Sequence, residues 1–115
     1  MQFHDKLKEK MDLQAHLAYR ITKSFPREEI YGLTSQLRRA AVSVVLNYVE
    51  GFARRKPLVM KNFFEISFGS LKEVRYLLEF CDKEGLIKDD DSLTQILIIN
   101  DEIGAMLWSS LQKME

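Results

Sequence analysis

The stretch QLRRAAVSVVLNYVEGF, residues 36 to 52, decides the fold. Its apolar residues recur at steps of three and four, the period of a helix, and the two-residue alternation of a half-buried strand is missing. Projected at about 100° per residue, Leu37, Ala41, Val42, Val44, Val45, Leu46, Tyr48, Val49, Phe52 and Ala53 cover more than half of the circumference. One seam of a helical bundle needs less than that. The excess apolar arc predicts a second packing surface on this helix, most simply another copy of the chain.

Outward from this helix, two prolines and several turn-like clusters divide the chain into four helical segments. The first spans about residues 3 to 25, with Leu7, Met11, Ala18, Ile21 and Phe25 along one face, and Pro26 ends it. Thr34 is the expected cap of the second, which runs to about Arg54; Leu37 occupies the place where a capping box needs Glu or Gln. Pro57 suits the first turn of the third, which is expected to continue to about Lys83 and to stop at Gly85. Asp91 or Ser92 is the expected cap of the fourth, with Gln95 placed to complete a box from Ser92. Connections this short favour antiparallel neighbours, so the expected fold is all-α, an antiparallel up-down-up-down four-helix bundle occupying residues 1–115 as one domain.

Composition narrows the function classes. With 46% hydrophobic residues the chain can bury one sizeable core, and no apolar run approaches the roughly 20 residues that span a bilayer. MQFHDKLKEKMD lacks the apolar centre of a signal peptide, which predicts a cytoplasmic protein without membrane partners. Cys81 is the only cysteine, excluding an internal disulfide and a cysteine-built zinc site. Lysine plus arginine and aspartate plus glutamate are both 17, yet the charges segregate. Residues 35 to 61 hold Arg38, Arg39, Arg54, Arg55, Lys56 and Lys61 against Glu50 alone, whereas residues 79 to 115 hold nine acids against three lysines. Segregation of this kind builds a basic surface on a neutral protein, or lets chains attract one another.

Within the second helix Gln36, Arg39, Ser43, Asn47, Glu50 and Arg54 form a narrow polar stripe. It reads as a solvated face or as a satisfied network against the third helix. Arg39, Asn47, Glu50, Ser70 and Glu73 are the candidate members of that network, because Glu73 falls beside Ile66, Leu77 and Phe80 on the helical projection and a buried carboxylate needs a partner. Gly51 and Gly69 are expected to let the two backbones approach closely. A catalytic or metal-binding role for Glu50 and Glu73 is the weakest reading: His4 and His16 fit no Glu-x-x-His pattern, no nucleophile is accompanied by a base, and no glycine-rich phosphate loop exists. No catalytic residue, metal ligand, cofactor or small-molecule substrate is therefore assigned. Asn100 falls in the apolar seam Leu93, Ile96, Ile103, Leu107, where one amide fixes register.

Two longer stretches, QLRRAAVSVVLNYVEGF and FFEISFGSLKEVRYLL at residues 63 to 78, together with FPREEIYGL at 25 to 33, carry a resemblance. The chain resembles the four-helix bundle proteins encoded by intervening sequences of bacterial large-subunit ribosomal RNA genes, a ribosomal-protein-like family. Its N-x-x-E-G pattern is matched by Asn47, Glu50 and Gly51, and its G-S-x-x-E pattern by Gly69, Ser70 and Glu73. HDKLKEKMDLQAHL departs from the aromatic first helix common in the family. The resemblance implies a homopentameric ring without enzymatic activity, and an association with RNA or a nucleoprotein; similar bundles accompany retroelement reverse transcriptases. Arg38, Arg39, Arg54, Arg55, Lys56 and Lys61 are the nucleic-acid-binding candidates, with recognition expected of backbone and shape, since no stacking-aromatic motif is present. The competing expectation is an adaptor ring that recruits an enzyme without touching nucleic acid.

Overall fold

The computed structural model describes residues 2–115. It contains four helices, α1 (Gln2–Thr22), α2 (Leu33–Phe52), α3 (Pro57–Lys83) and α4 (Asp90–Lys113), with a single 3₁₀ turn at Arg27–Glu29 between the first two. Contacts run in opposite chain directions at every junction. His4 meets Tyr48 while Arg38 reaches back to Thr22; Ser43 meets Ser70 while Tyr48 stacks on Phe64; Arg75 meets Asp101 while Phe68 lies by Trp108; and Lys10 meets Glu102. Each helix packs on its two neighbours and the diagonal pairs stay apart, giving an antiparallel up-down-up-down bundle 43 × 25 × 18 Å in extent. Among the described residues no helix is long and apolar enough to cross a membrane.

The core is the inner row of each helix: Leu7, Met11 and Leu17 from α1, Leu37, Ala41 and Val44 from α2, Phe64, Leu71 and Leu78 from α3, Ile96, Ile103 and Leu107 from α4. The closest pairing is α2 with α3. Small residues make it so: a Cβ on Gly51 would stand 2.8 Å from the Phe64 ring and 2.9 Å from Phe63 Cβ, and Ser67 Oγ donates across the seam to the Val44 carbonyl at 2.6 Å. Gly69 corrects the expectation of two close-approach glycines, because a Cβ there meets nothing within 4 Å. It faces outward.

Helix ends follow local chemistry, with three corrections. The first helix stops at Thr22, short of Phe25, because the residue before a proline is driven out of helical geometry; Phe25 still buries its ring. Gly32, rather than Thr34, occupies the cap of α2, and the Glu29 carboxylate accepts the Leu33 N–H at 3.3 Å. The cap of α4 is Asp89, two residues earlier than Asp91: its carboxylate accepts the Ser92 N–H at 3.0 Å and the Ser92 hydroxyl at 2.7 Å, so Ser92 is spent in the first turn and no box with Gln95 forms. Those two bonds hold the Asp89 carboxyl below its ordinary pKa. At the end of α3, Gly85 takes φ 74°, the Leu86 N–H returns to the Cys81 carbonyl and the Gly85 N–H to that of Asp82, a Schellman stop.

Candidate functional site

Asn47 and Ser70 do meet, through a residue outside the expected set. The hydroxyls of Ser43 and Ser70 lie 2.8 Å apart, and Asn47 Nδ2 donates to the Ser43 carbonyl and hydroxyl, each at 2.9 Å. The other three candidates stand apart from this network. Glu50 is exposed and accepts from Arg54 at 2.8 Å, an i,i+4 surface pair. Glu73 and Arg39 are exposed on opposite walls of an open groove of about 430 Å³ that Gln36 and Ser43 also line, and no ion pair joins them. Of the two readings left open, solvated or buried against α2, Glu73 takes the solvated one for a geometric reason: its neighbours Ile66 and Phe80 are themselves 51% and 39% exposed, and of its three apolar neighbours only Leu77 turns into the core. No hydrogen bond links Glu50 to Glu73, and no group of three potential metal ligands occurs among the described residues.

The basic residues divide into two groups. Residues 38 and 54 are separated along α2 by about 24 Å at 1.5 Å per residue. At one end Arg38 is engaged, its Nε donating to Thr22 Oγ1 at 2.8 Å and its guanidinium lying 4.4 Å over the Tyr19 ring, while Arg39 projects into the groove. At the other end Arg54 is shared between Glu50 and the face of Phe63, 5.0 Å away. Arg55 and Lys56 are exposed in the turn before α3, with Lys61 half-buried one turn beyond; none of the three has an ion-pair partner among the described residues.

This second end receives cations that a count over residues 35 to 61 misses. The antiparallel pairing brings the start of α1 alongside, so Lys8 and Ala53 line the same mainly apolar pocket of about 280 Å³, together with His4, Asp5, Tyr48, Val49 and Phe52. Lys6 is exposed on the same turn of α1. His4 Nδ1 lies 2.5 Å from the Tyr48 hydroxyl, and its ring sits edge-on to Phe52 with centroids 4.6 Å apart. The Tyr48 phenol is pushed up to about 12, mainly by burial and secondarily by the Asp5 charge.

The outer surface of the α2–α3 pair carries two rows rich in exposed apolar side chains, with the polar groove of Gln36, Arg39 and Glu73 between the helices. On α2, Leu46 is 55% exposed and Val49 42%, with Val42 beside them. On α3 the exposed positions Val59, Asn62, Ile66, Gly69, Glu73, Tyr76 and Phe80 follow one another at strictly alternating steps of three and four, the repeat of a coiled-coil seam that has no partner within the chain. That second stripe escapes a reading by hydrophobicity because Asn62, Gly69 and Glu73 interrupt it.

Comparison with known proteins sets these features in a family. The model of the 23S rRNA-intervening sequence protein family matches residues 5–109. Among solved structures, a protein of unknown function from the S23 ribosomal protein family of Bacteroides thetaiotaomicron superposes with a TM-score of 0.85 at 20% identity, over 96% of this chain and 98% of that one. No curated protein gives a match.

Proposed function

The chain belongs to the 23S rRNA-intervening sequence protein family, and from that premise we propose that it is a non-catalytic scaffold whose copies assemble through the outer α2–α3 face and bind RNA or a nucleoprotein through the basic end of the bundle. The observation that carries this reading is the pair of exposed apolar stripes on adjacent helices, where Leu46, Ile66 and Tyr76 are each more than half exposed. Exposed large apolar side chains in that number on one side of a subunit mark an interaction site. A homopentamer is the assembly that the family resemblance implies. Repetition around a ring multiplies the contribution of each cation, which is how Arg55, Lys56 and Lys61, with Lys6 and Lys8 from α1, give useful affinity for phosphodiester backbone from few contacts per copy.

RNA titrations at several salt concentrations test the binding half of the proposal. Changing Arg55 and Lys56 to alanine is expected to weaken binding similarly for unrelated sequences and to reduce the slope of log affinity against log salt by about two per occupied subunit. Binding that is independent of salt and indifferent to the double substitution removes RNA from the account. An adaptor role then takes its place, favoured by the aromatic side chain of Tyr31, 97% exposed, in the α1–α2 connection at the opposite end of the bundle. Partner capture that survives nuclease treatment is its signature.

A further inference from the structure

Where α1 gives way to α2, the connecting segment folds over a pocket of about 330 Å³. Lys23, Arg27 and Arg38 line it, and no acidic side chain does. The concentration of positive charge runs against the local composition, since Glu28 and Glu29 belong to the same connection. Arg38 is held in place by its bond to Thr22 Oγ1 and by the Tyr19 ring beneath it, which leaves both terminal guanidinium nitrogens without hydrogen-bond partners among the described residues.

Thr34 supplies an independent observation. It lines the same pocket, is only 6% exposed, and its shielded hydroxyl has no hydrogen-bond partner. Buried hydroxyls without partners are rare because they forfeit their bonds to water. Thr34 is also the second residue of the 20-residue α2, whose Gly32 cap provides no side-chain acceptor. Glu29 takes the N–H of Leu33, and those of Thr34 and Ser35 have no acceptor among the described residues. First-turn N–H groups carry the positive end of the helix dipole and favour an anion.

We propose that this pocket binds a phosphate group, presented by an RNA backbone or by a small phosphorylated molecule. A guanidinium grips two phosphate oxygens at once, two flexible cations close on the remainder, and a turn of the Thr34 side chain about its single torsion gives the orphaned hydroxyl an acceptor. The three lining cations outweigh the single Glu29 carboxylate at the α2 N-terminus; they match a dianionic phosphomonoester in charge, and a singly charged backbone phosphodiester still presents the two oxygens that a guanidinium grips. The site lies at the opposite end of α2 from Arg55 and Lys56, so it stands whether or not that end binds RNA.

The test uses the full chain, labelled with ¹⁵N, in chloride buffer. Inorganic phosphate, adenosine monophosphate and a short single-stranded RNA are added in separate titrations, with sodium chloride of equal ionic strength as the reference. The expected result is a saturable shift of the Thr34 and Ser35 amides and of Arg38 Nε–H, accompanied by a rise in Tm that chloride does not reproduce. In the double variant Lys23→Gln/Arg27→Gln the affinity falls about tenfold, and Thr34→Val melts higher than the parent in chloride while losing most of its response to phosphate. Response to all three probes assigns the site to the RNA backbone, and response to the first two alone assigns it to small phosphate ligands. Silence in all three, or a response undiminished in the double variant, overturns the proposal.

Discussion

A single methyl group distinguishes alanine from Gly51, and the α2–α3 seam has no room for it. Gly51→Ala forces its Cβ against the Phe64 ring and Phe63 Cβ, and is expected to destabilise the subunit by about 1–3 kcal/mol in urea unfolding, the usual cost of overpacking. Gly69→Ala is the contrasting case: with open space around it, it gains about 0.5–1 kcal/mol in the isolated subunit from backbone entropy alone, and loses that gain where another copy covers α3. The sequence marks both positions as glycine in a helix and cannot separate them, since the difference is that Gly51 of α2 faces into the seam with α3 whereas Gly69 lies on the outer side of α3. The same ambiguity placed Glu73 among apolar neighbours without revealing that two of them, Ile66 and Phe80, are exposed while Leu77 is buried. Tyr48 gives a pH prediction. Its phenol loses its proton near 10 in the unfolded chain and near 12 in the fold, so the folded state holds the extra proton in that window. Stability therefore falls as pH rises from about 10 to 12, by at most about 1.4 kcal/mol per pH unit. Cys81, raised to about 11 by burial and then by Glu29 and Glu84, adds a similar loss beginning one unit lower. Tyr48→Phe is expected to flatten the upper part of the profile and leave the part due to Cys81.

Among the elements, the helices were legible because each carries a row of apolar residues at helical spacing between firm breakers. Pro57 opens α3 and Gly85 closes it as expected. The caps were less legible, since several neighbouring residues can supply an oxygen and only the backbone decides which does: Asp89 was passed over for Asp91 and Ser92, and Thr34 turned out to lie inside its helix. Asn100 stood out in sequence as a lone amide in an apolar seam; its partner did not. Asn100 Nδ2 donates to Gln14 Oε1 at 2.8 Å and to the Leu71 carbonyl at 3.3 Å, tying α4 to α1 and α3, while Gln14 Nε2 remains unpaired. Gln14 completes the row of Leu7, Met11, Ala18 and Ile21 at helical spacing, and only its polar side chain hides it from a reading by hydrophobicity. Asn100→Leu strands the whole Gln14 amide and is expected to cost about 2 kcal/mol. Adding Gln14→Leu is expected to recover most of that loss, which a double-mutant cycle reads as coupling of about 1–2 kcal/mol.

At the scale of the whole molecule, four helices of an amphipathic chain leave one broad side uncovered. The excess apolar arc of α2 was readable from residues 36 to 52, and the fold adds a second stripe on α3 beside it, interrupted enough by polar residues to hide in the sequence. The charge count along the chain was a poorer guide. It joined Arg38 and Arg39 to Arg54, Arg55 and Lys56, which the length of α2 holds apart, and it missed Lys6 and Lys8, which antiparallel packing brings to the basic end. Family membership and a shared fold with the Bacteroides protein leave the number of subunits to measurement. Sedimentation equilibrium at roughly micromolar concentration, on the parent and on Leu46→Glu/Ile66→Glu, addresses it directly, because burying either carboxylate without a partner opposes association. The expected result is a parent of several subunits, five times the 13.5 kDa chain if the ring is a pentamer, and a variant that sediments as a helical monomer. A parent that sediments as a 13.5 kDa monomer, with Leu46 and Ile66 left in water, contradicts the assembly on which the proposed function rests.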